Sequence, residues 1–156
     1  MKLFLKSLFA TLMVVYFAVS TSYAEKVTPE GIIGATTVDA DTVKNWLDNG
    51  EEMIIIDPRK PSDYTLKGHI PTAISCPVNT DHELSDEVIA RAVEHLSSCA
   101  DLQGVSKKDK IVAYCNGIAC WMSPKAVAAL VKMGYSNVYW FRGGMTDWMA
   151  KDYPIE

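Results

Sequence analysis

The sequence predicts an α/β domain, an open parallel sheet with helices on both faces. The run Met53-Ile54-Ile55-Ile56 is apolar without alternation and ends in Asp57-Pro58-Arg59, as strands covered on both faces require. Runs of this kind alternate with segments of helical apolar spacing over short connections, the pattern of a parallel sheet. A cysteine, Cys115, directly follows one run and precedes a glycine and a helix, at the strand end where open α/β sheets carry their sites.

The 156 residues are 49% hydrophobic and 22% charged, an ordinary globular composition with length for one domain. Residues 1–24 stand apart. Lys2 and Lys6 make a basic start, Leu8 to Val19 is mostly apolar, and Ser22-Tyr23-Ala24 offers small residues where signal peptidase reads, so a cleaved secretory signal is expected. The competing reading is an uncleaved anchor, which Leu3 to Val19 would make at the short edge of a bilayer span. Export, most simply to a periplasm, follows from the first reading, with no stable membrane insertion once the signal is removed.

Cleavage removes two of the 15 basic residues and none of the 19 acidic ones. The mature chain then carries 13 basic against 19 acidic side chains, a balance that argues against nucleic acid or anionic lipid as partner.

Residues 25–36 hold Pro29, Gly31 and Gly34 with little periodicity and read as a lead-in with weak structure, the domain proper being 37–156. Asp39 or Asp41 caps a short helix through Val43, Trp46 and Leu47, stopped at Asn49-Gly50. Met53–Ile56 is the first buried strand, and Ala73–Cys76 a shorter one stopped by Pro77. From Leu84 to Leu102 the apolar positions Val88, Ile89, Ala92, Val93 and Leu96 give an amphipathic helix that Gly104 closes. Lys110–Tyr114 is a strand, Ser123–Lys132 a helix with Ser123 as N-cap and Pro124 in its first turn, and Val138–Trp140 a strand.

Between the last two strands lies Tyr114-Cys115-Asn116-Gly117-Ile118-Ala119-Cys120-Trp121-Met122-Ser123-Pro124-Lys125. A loop that bends from strand end to helix start turns amide N–H groups inward, and with the helix dipole these cradle an anion: thiolate, persulfide or oxyanion. The same field lowers the thiol pKa and makes Cys115 a nucleophile. Gly117 permits the tight turn.

Four blocks in this order resemble the single-domain rhodaneses, from about Thr37 to Tyr153. Ile55-Ile56-Asp57-Pro58-Arg59 is similar to the family's strand ending in aspartate and arginine. Gly68-His69-Ile70-Pro71-Thr72-Ala73-Ile74 resembles its Gly-His-Ile-Pro-Gly-Ala turn, with Thr72 in place of the second glycine. The Cys115 loop is the third block. The fourth is 134–148, with the double glycine Gly143-Gly144 and Trp148.

The loop departs from the commoner family pattern, which has glycine three residues after the cysteine and often a basic or hydroxyl residue two further on. Here glycine is second and Cys120 fifth, so the chain resembles an exported bacterial subgroup with Cys-x-Gly-x-x-Cys at this loop.

The resemblance implies a rhodanese-like open parallel sheet and a sulfurtransferase that passes sulfane sulfur from thiosulfate, polysulfide or a persulfide to a thiophilic acceptor, a small molecule or a partner protein's thiol. Cys115 would be catalytic and carry the sulfur as a persulfide, with Asn116, Gly117, Ile118, Ala119, Cys120 and Trp121 forming the substrate-binding loop. Asp57 would anchor loop backbone, and Arg59 would lie near the loop, where it could meet an anionic substrate.

Ile118, Trp121 and Met122 give the loop an apolar rim without fixed positive charge, and Lys125 and Arg142 are the nearby candidates to supply it. Polysulfide, an organic persulfide or a protein persulfide is therefore expected to serve better than the thiosulfate dianion, which favours arginine or lysine.

Cys120 has three compatible roles: a resolving thiol that attacks a Cys115 persulfide, a disulfide partner, or a small packing residue. In an exported chain a disulfide between Cys76 and Cys99 is also plausible. His69 reads as a turn residue rather than a base. No cofactor and no metal are expected, because His69, His82 and His95 have no paired spacing with cysteine.

Three other functions compete. A phosphatase or arsenate reductase needs an arginine about six residues beyond the cysteine, where this chain has Trp121. A thiol–disulfide oxidoreductase would cycle Cys115 and Cys120. A non-catalytic module would bind a partner or relay sulfur, and the presence of Cys115 argues against full inactivity.

Overall fold

The computed structural model describes residues 27–156; the expected signal peptide lies outside the described residues. Five strands, β1 (Ala35–Val38), β2 (Ile54–Asp57), β3 (Ile74–Ser75), β4 (Ile111–Tyr114) and β5 (Val138–Phe141), pair in the order β1-β5-β4-β2-β3. Every pairing is parallel. The helices are α1 (Ala40–Asp48), α2 (Pro61–Lys67), α3 (Asp86–Ser97), α4 (Met122–Lys132) and α5 (Gly144–Ala150), with a 3-10 turn at Ala100–Leu102. This is the α/β class that the apolar runs predict.

Period-two geometry feeds two cores from each central strand. On β4, Ile111 and Ala113 enter a core with Ala92 and Leu96 of α3 and Ala126, Val127 and Leu130 of α4. Val112 and Tyr114 enter the opposite core, with Ala40 and Val43 of α1 and Met145 and Trp148 of α5. Both faces of β4 are buried and β2 is nearly so, and these two central strands accordingly carry no polar alternation. Each large side chain so buried contributes about 1.5–3 kcal/mol.

Asp39 caps α1 as expected, its carboxylate accepting from Thr42 N at 2.9 Å, and Gly50 supplies the left-handed stop at φ 65°. Ser123 does not cap α4, which starts one residue earlier with Trp121 at its cap position. Its hydroxyl instead accepts from Trp140 Nε1 at 3.0 Å, satisfying an indole N–H that would cost about 1–3 kcal/mol if buried unpaired. The helix expected to run to Leu102 ends at Ser97, where the Ser98 amide closes on Glu94 O and His95 O. Cys99 then leaves the helix and bonds to Cys76, beyond β3, with Cα atoms 5.6 Å apart.

The first strand begins at Ala35, inside the segment expected to be a weakly structured lead-in. Residues 28–30 of that segment are also docked, with Thr28 buried and Thr37 Oγ1 donating to Glu30 O at 3.3 Å. Thr28 and Pro29 find their partners at Ile118 and Arg142, far along the chain, which local periodicity does not reveal. Among the described residues no helix is long and apolar enough to cross a membrane.

Candidate active site

The buried β4 carries Cys115 out of the sheet, and the chain then turns through residues 116–121 into α4. Two carbonyls of this turn are held from outside by the first turn of α5. Met145 N donates to Cys115 O at 2.8 Å, and Thr146 N donates to Asn116 O at 2.8 Å. The Thr146 hydroxyl donates to the same Asn116 oxygen at 2.7 Å. Gly144 makes this approach possible: its φ is +57°, and a Cβ there would stand 2.2 Å from Cys115 O. The double glycine is thus the surface against which the cysteine loop is cast.

A second clamp comes from β2. Asp57 and Arg59 are both buried, and Arg59 Nη2 meets Asp57 Oδ2 at 2.6 Å. Arg59 Nε also donates to Asp57, Nη2 to Gly68 O at 2.7 Å, and Nη1 to Asn116 Oδ1 at 3.1 Å. Tyr114 donates its hydroxyl to Asp57 Oδ2 at 2.7 Å. Burial lowers the Arg59 pKa, the Asp57 hydrogen bonds and charge outweigh it, and the net shift is upward. Burial first, then the Asp57 charge, pushes the Tyr114 phenol far up, so it stays a donor. Asp57 accepts from Arg59 N at 3.0 Å and reaches the cysteine loop through Arg59 and Asn116. Arg59 is spent on these partners and presents no fork to an incoming anion, a correction to its expected contact with substrate.

The third clamp is the N-terminal segment. Thr28 N and Thr28 Oγ1 both donate to Ile118 O, at 2.9 and 2.7 Å. Arg142, just beyond β5, holds that segment through Nε to Pro29 O and Nη2 to Thr28 O, each 2.8 Å.

Lys125 is buried on α4, donating from Nζ to Asn79 O and, at 2.5 Å, to Asp81 O. Burial pulls its pKa down to about 8, with Asp81 opposing the shift. Arg142 and Lys125, the expected sources of positive charge for the loop, are therefore both committed to backbone carbonyls. Lys125 thus braces the 79–81 loop from behind and presents no charge to the site.

A cavity of about 560 Å³ opens over the loop. Residues 116–122 form one wall, Gly143, Thr146 and Asp147 another, and Lys60, Thr80 and His82 the third. Lys60, His82, Thr146 and Asp147 were not legible as site residues, because α2, the 79–82 loop and α5 meet the cysteine loop only through the sheet topology. His69 stacks on Tyr64 with ring centroids 3.7 Å apart, consistent with a turn residue.

Cys115 has no exposed surface and is bonded to Cys120, Cα to Cα 6.1 Å. Cys120 lines the cavity, and its amide donates to Gly117 O at 2.9 Å, closing the turn. Of its open roles, the disulfide partnership is the one seen. Among the described residues no cluster of three or more His, Cys, Asp or Glu could hold a metal ion.

A parallel sheet that delivers a cysteine from its central strand into a loop gripped by the first turn of α5 defines an α/β protein with a cysteine-loop site. Residues 39–151 match the rhodanese-like domain, and the chain belongs to that family. It is 32% identical over 122 residues to the tRNA uridine(34) hydroxylase of Buchnera aphidicola, covering 78% of this chain and 34% of that protein. The chain thus spans about a third of that relative's length. Among solved structures, a Bacillus halodurans protein superposes with TM-score 0.60 at 27% identity, covering 78% of this chain and 77% of that one. The rhodanese-like domain of an Anabaena protein superposes with TM-score 0.58 at 28% identity, covering 77% of each chain.

Proposed function

We propose that this domain is a sulfurtransferase that carries sulfane sulfur as a persulfide on Cys115. The carrying observation is the site of that thiol: at a buried strand end, under a loop whose carbonyls at 115, 116 and 118 are each held from outside. With those carbonyls turned away and the Cys120 amide closing the turn on Gly117 O, the other amides of the loop supply the donors for an anionic sulfur. The Cys115–Cys120 form is the resting oxidised state, and reduction precedes loading. No cofactor takes part; the intermediate is the covalent persulfide.

The cavity wall offers Lys60 and His82 but also Asp147, and Ile118, 48% exposed, stands at its rim. A mixed and partly apolar wall suits polysulfide, an organic persulfide or a protein persulfide better than the compact thiosulfate dianion. The test is intact mass of the reduced Cys120→Ser chain after exposure to polysulfide: one added sulfur atom is expected, absent when Cys115 is also replaced by serine. An unmodified Cys120→Ser chain would remove the proposal. Equal turnover efficiency with thiosulfate and polysulfide would remove the donor preference.

The Cys115–Cys120 bond favours a second reading, thiol–disulfide exchange with a partner protein. Cys120→Ser separates the two: sulfur loading survives it and disulfide exchange does not. The tRNA hydroxylation named for the Buchnera relative fits this chain less well, because the acidic balance disfavours a polyanion. Export to an oxidising compartment is part of the proposal and is supported by two disulfides in a chain of this size. It predicts a mature N-terminus at Glu25, readable by mass.

A further inference from the structure

The two sulfurs of the Cys115–Cys120 bond are placed unequally: Cys115 is fully buried, whereas Cys120 lines the cavity wall. We propose that Cys120 is the thiol that resolves the Cys115 persulfide by displacing its outer sulfur, which makes the domain a sulfane-sulfur reductase that releases hydrosulfide. The inference rests on the reading of Cys115 as the sulfur carrier and names what discharges it.

The geometry that permits the disulfide also permits the reaction. The Cα atoms of Cys115 and Cys120 stand 6.1 Å apart, so the reduced Cys120 thiolate reaches the inner sulfur of a Cys115 persulfide without backbone movement. Attack there forms the Cys115–Cys120 bond and breaks the bond to the outer sulfur, which leaves as hydrosulfide. The bonding pair leaves with the outer sulfur, which gains one electron as the Cys120 sulfur loses one, and the Cys115 sulfur stays at the disulfide level. Cys120 gives its proton to solvent before the attack, and the departing sulfur leaves with its own proton or takes one from solvent. A resolving thiol held in the same loop acts at an effective concentration far above that of free thiols, so internal attack outruns transfer to a diffusing acceptor.

Regeneration runs in one direction. An external thiolate, from a small thiol or a dithiol protein, meets Cys120 Sγ from the cavity and forms a mixed disulfide there. Cys115 leaves as thiolate into its buried place, and a second thiol displaces the first from Cys120. The sum is one donor sulfur reduced to hydrosulfide and two thiols oxidised to a disulfide.

The experiment uses the mature chain, reduced with a dithiol, freed of it and mixed anaerobically with inorganic polysulfide. Intact mass and peptide mapping after acid quench are read beside released hydrosulfide. Wild type is expected to end as the Cys115–Cys120 disulfide, with hydrosulfide above that seen with Cys120→Ser. Cys120→Ser, and Cys120→Ala beside it, should hold one extra sulfur on Cys115 for at least about tenfold longer than wild type. A wild-type persulfide as long-lived as that of the variants overturns the resolving role of Cys120 and leaves the carrier reading standing. Failure of all three chains to take up sulfur overturns the carrier reading and this inference with it. A disulfide that forms at the same rate without polysulfide also overturns the resolving role.

Discussion

Arg59 donates to Asn116 Oδ1 at 3.1 Å while its other nitrogens hold Asp57 and Gly68 O, so one buried guanidinium ties the end of β2 to the residue after the nucleophile. Lysine keeps the charge but cannot span three partners. Arg59→Lys is expected to lose about 3–5 kcal/mol of stability, the cost of breaking a buried pair from one side, and to load sulfur more slowly. Asn116→Ala, which removes only the loop end of the link, should cost about 1–2 kcal/mol. Urea unfolding of the two variants checks the ordering. Equal losses would place the weight on Asn116 and not on the Asp57 pair.

Thr28 is joined to Ile118 O by both its amide and its hydroxyl, and Thr28→Val removes the hydroxyl at nearly constant shape. The expected stability loss is about 0.5–1.5 kcal/mol. Sulfur loading should slow severalfold, because the Ile118 carbonyl, then held by the residue-28 amide alone, fixes the loop less firmly. A variant with lowered Tm and wild-type loading rate would show that the strap supports the fold and does not shape the loop.

These two clamps show where the sequence is legible and where it is not. The Cys115 loop, the central strands and the Asp57–Arg59 pair are local patterns, because a buried strand and the turn that ends it are written in consecutive residues. β1 was missed because Ala35-Thr36-Thr37-Val38 is a half-exposed edge strand with no apolar run. α2 was missed because it buries no residue and so carries no stripe. α5 opens at Gly143-Gly144, a pair that reads as a breaker until its approach to Cys115 O explains it. Lys125 and Arg142 were legible as charges near the loop, but not in direction, since their partners at 79–81 and 28–29 lie far along the chain.

Lys125 makes a pH-dependent contribution with a definite sign. Burial lowers its folded pKa to about 8 from 10.5, so as pH rises the folded chain gives up this proton first. Between about pH 8 and 10.5 the unfolded chain binds more protons, and stability from this group rises with pH. Wild type should therefore gain stability relative to Lys125→Met across that window, measured by urea midpoints at matched pH. A difference that stays flat would mean that the ammonium is solvated.

The two disulfides should separate on reduction. Cys76–Cys99 closes a sequence separation of 23 and Cys115–Cys120 one of 5. Constraint of the unfolded chain grows with loop length, so the first is worth about 3 kcal/mol and the second nearer 2 kcal/mol before any effect on the native state. Access runs the other way. Cys76 is buried and Cys99 packs against the same core, whereas Cys120 stands in the cavity wall. A graded series of dithiol concentrations should open Cys115–Cys120 first, with a small drop in Tm and the gain of sulfur loading. Cys76–Cys99 should open later, with a larger drop. Differential alkylation read by peptide mass assigns each step. If Cys76–Cys99 opened first, the cavity would not be the route by which thiols enter, and the order in which Cys120 is attacked before Cys115 would lose its basis.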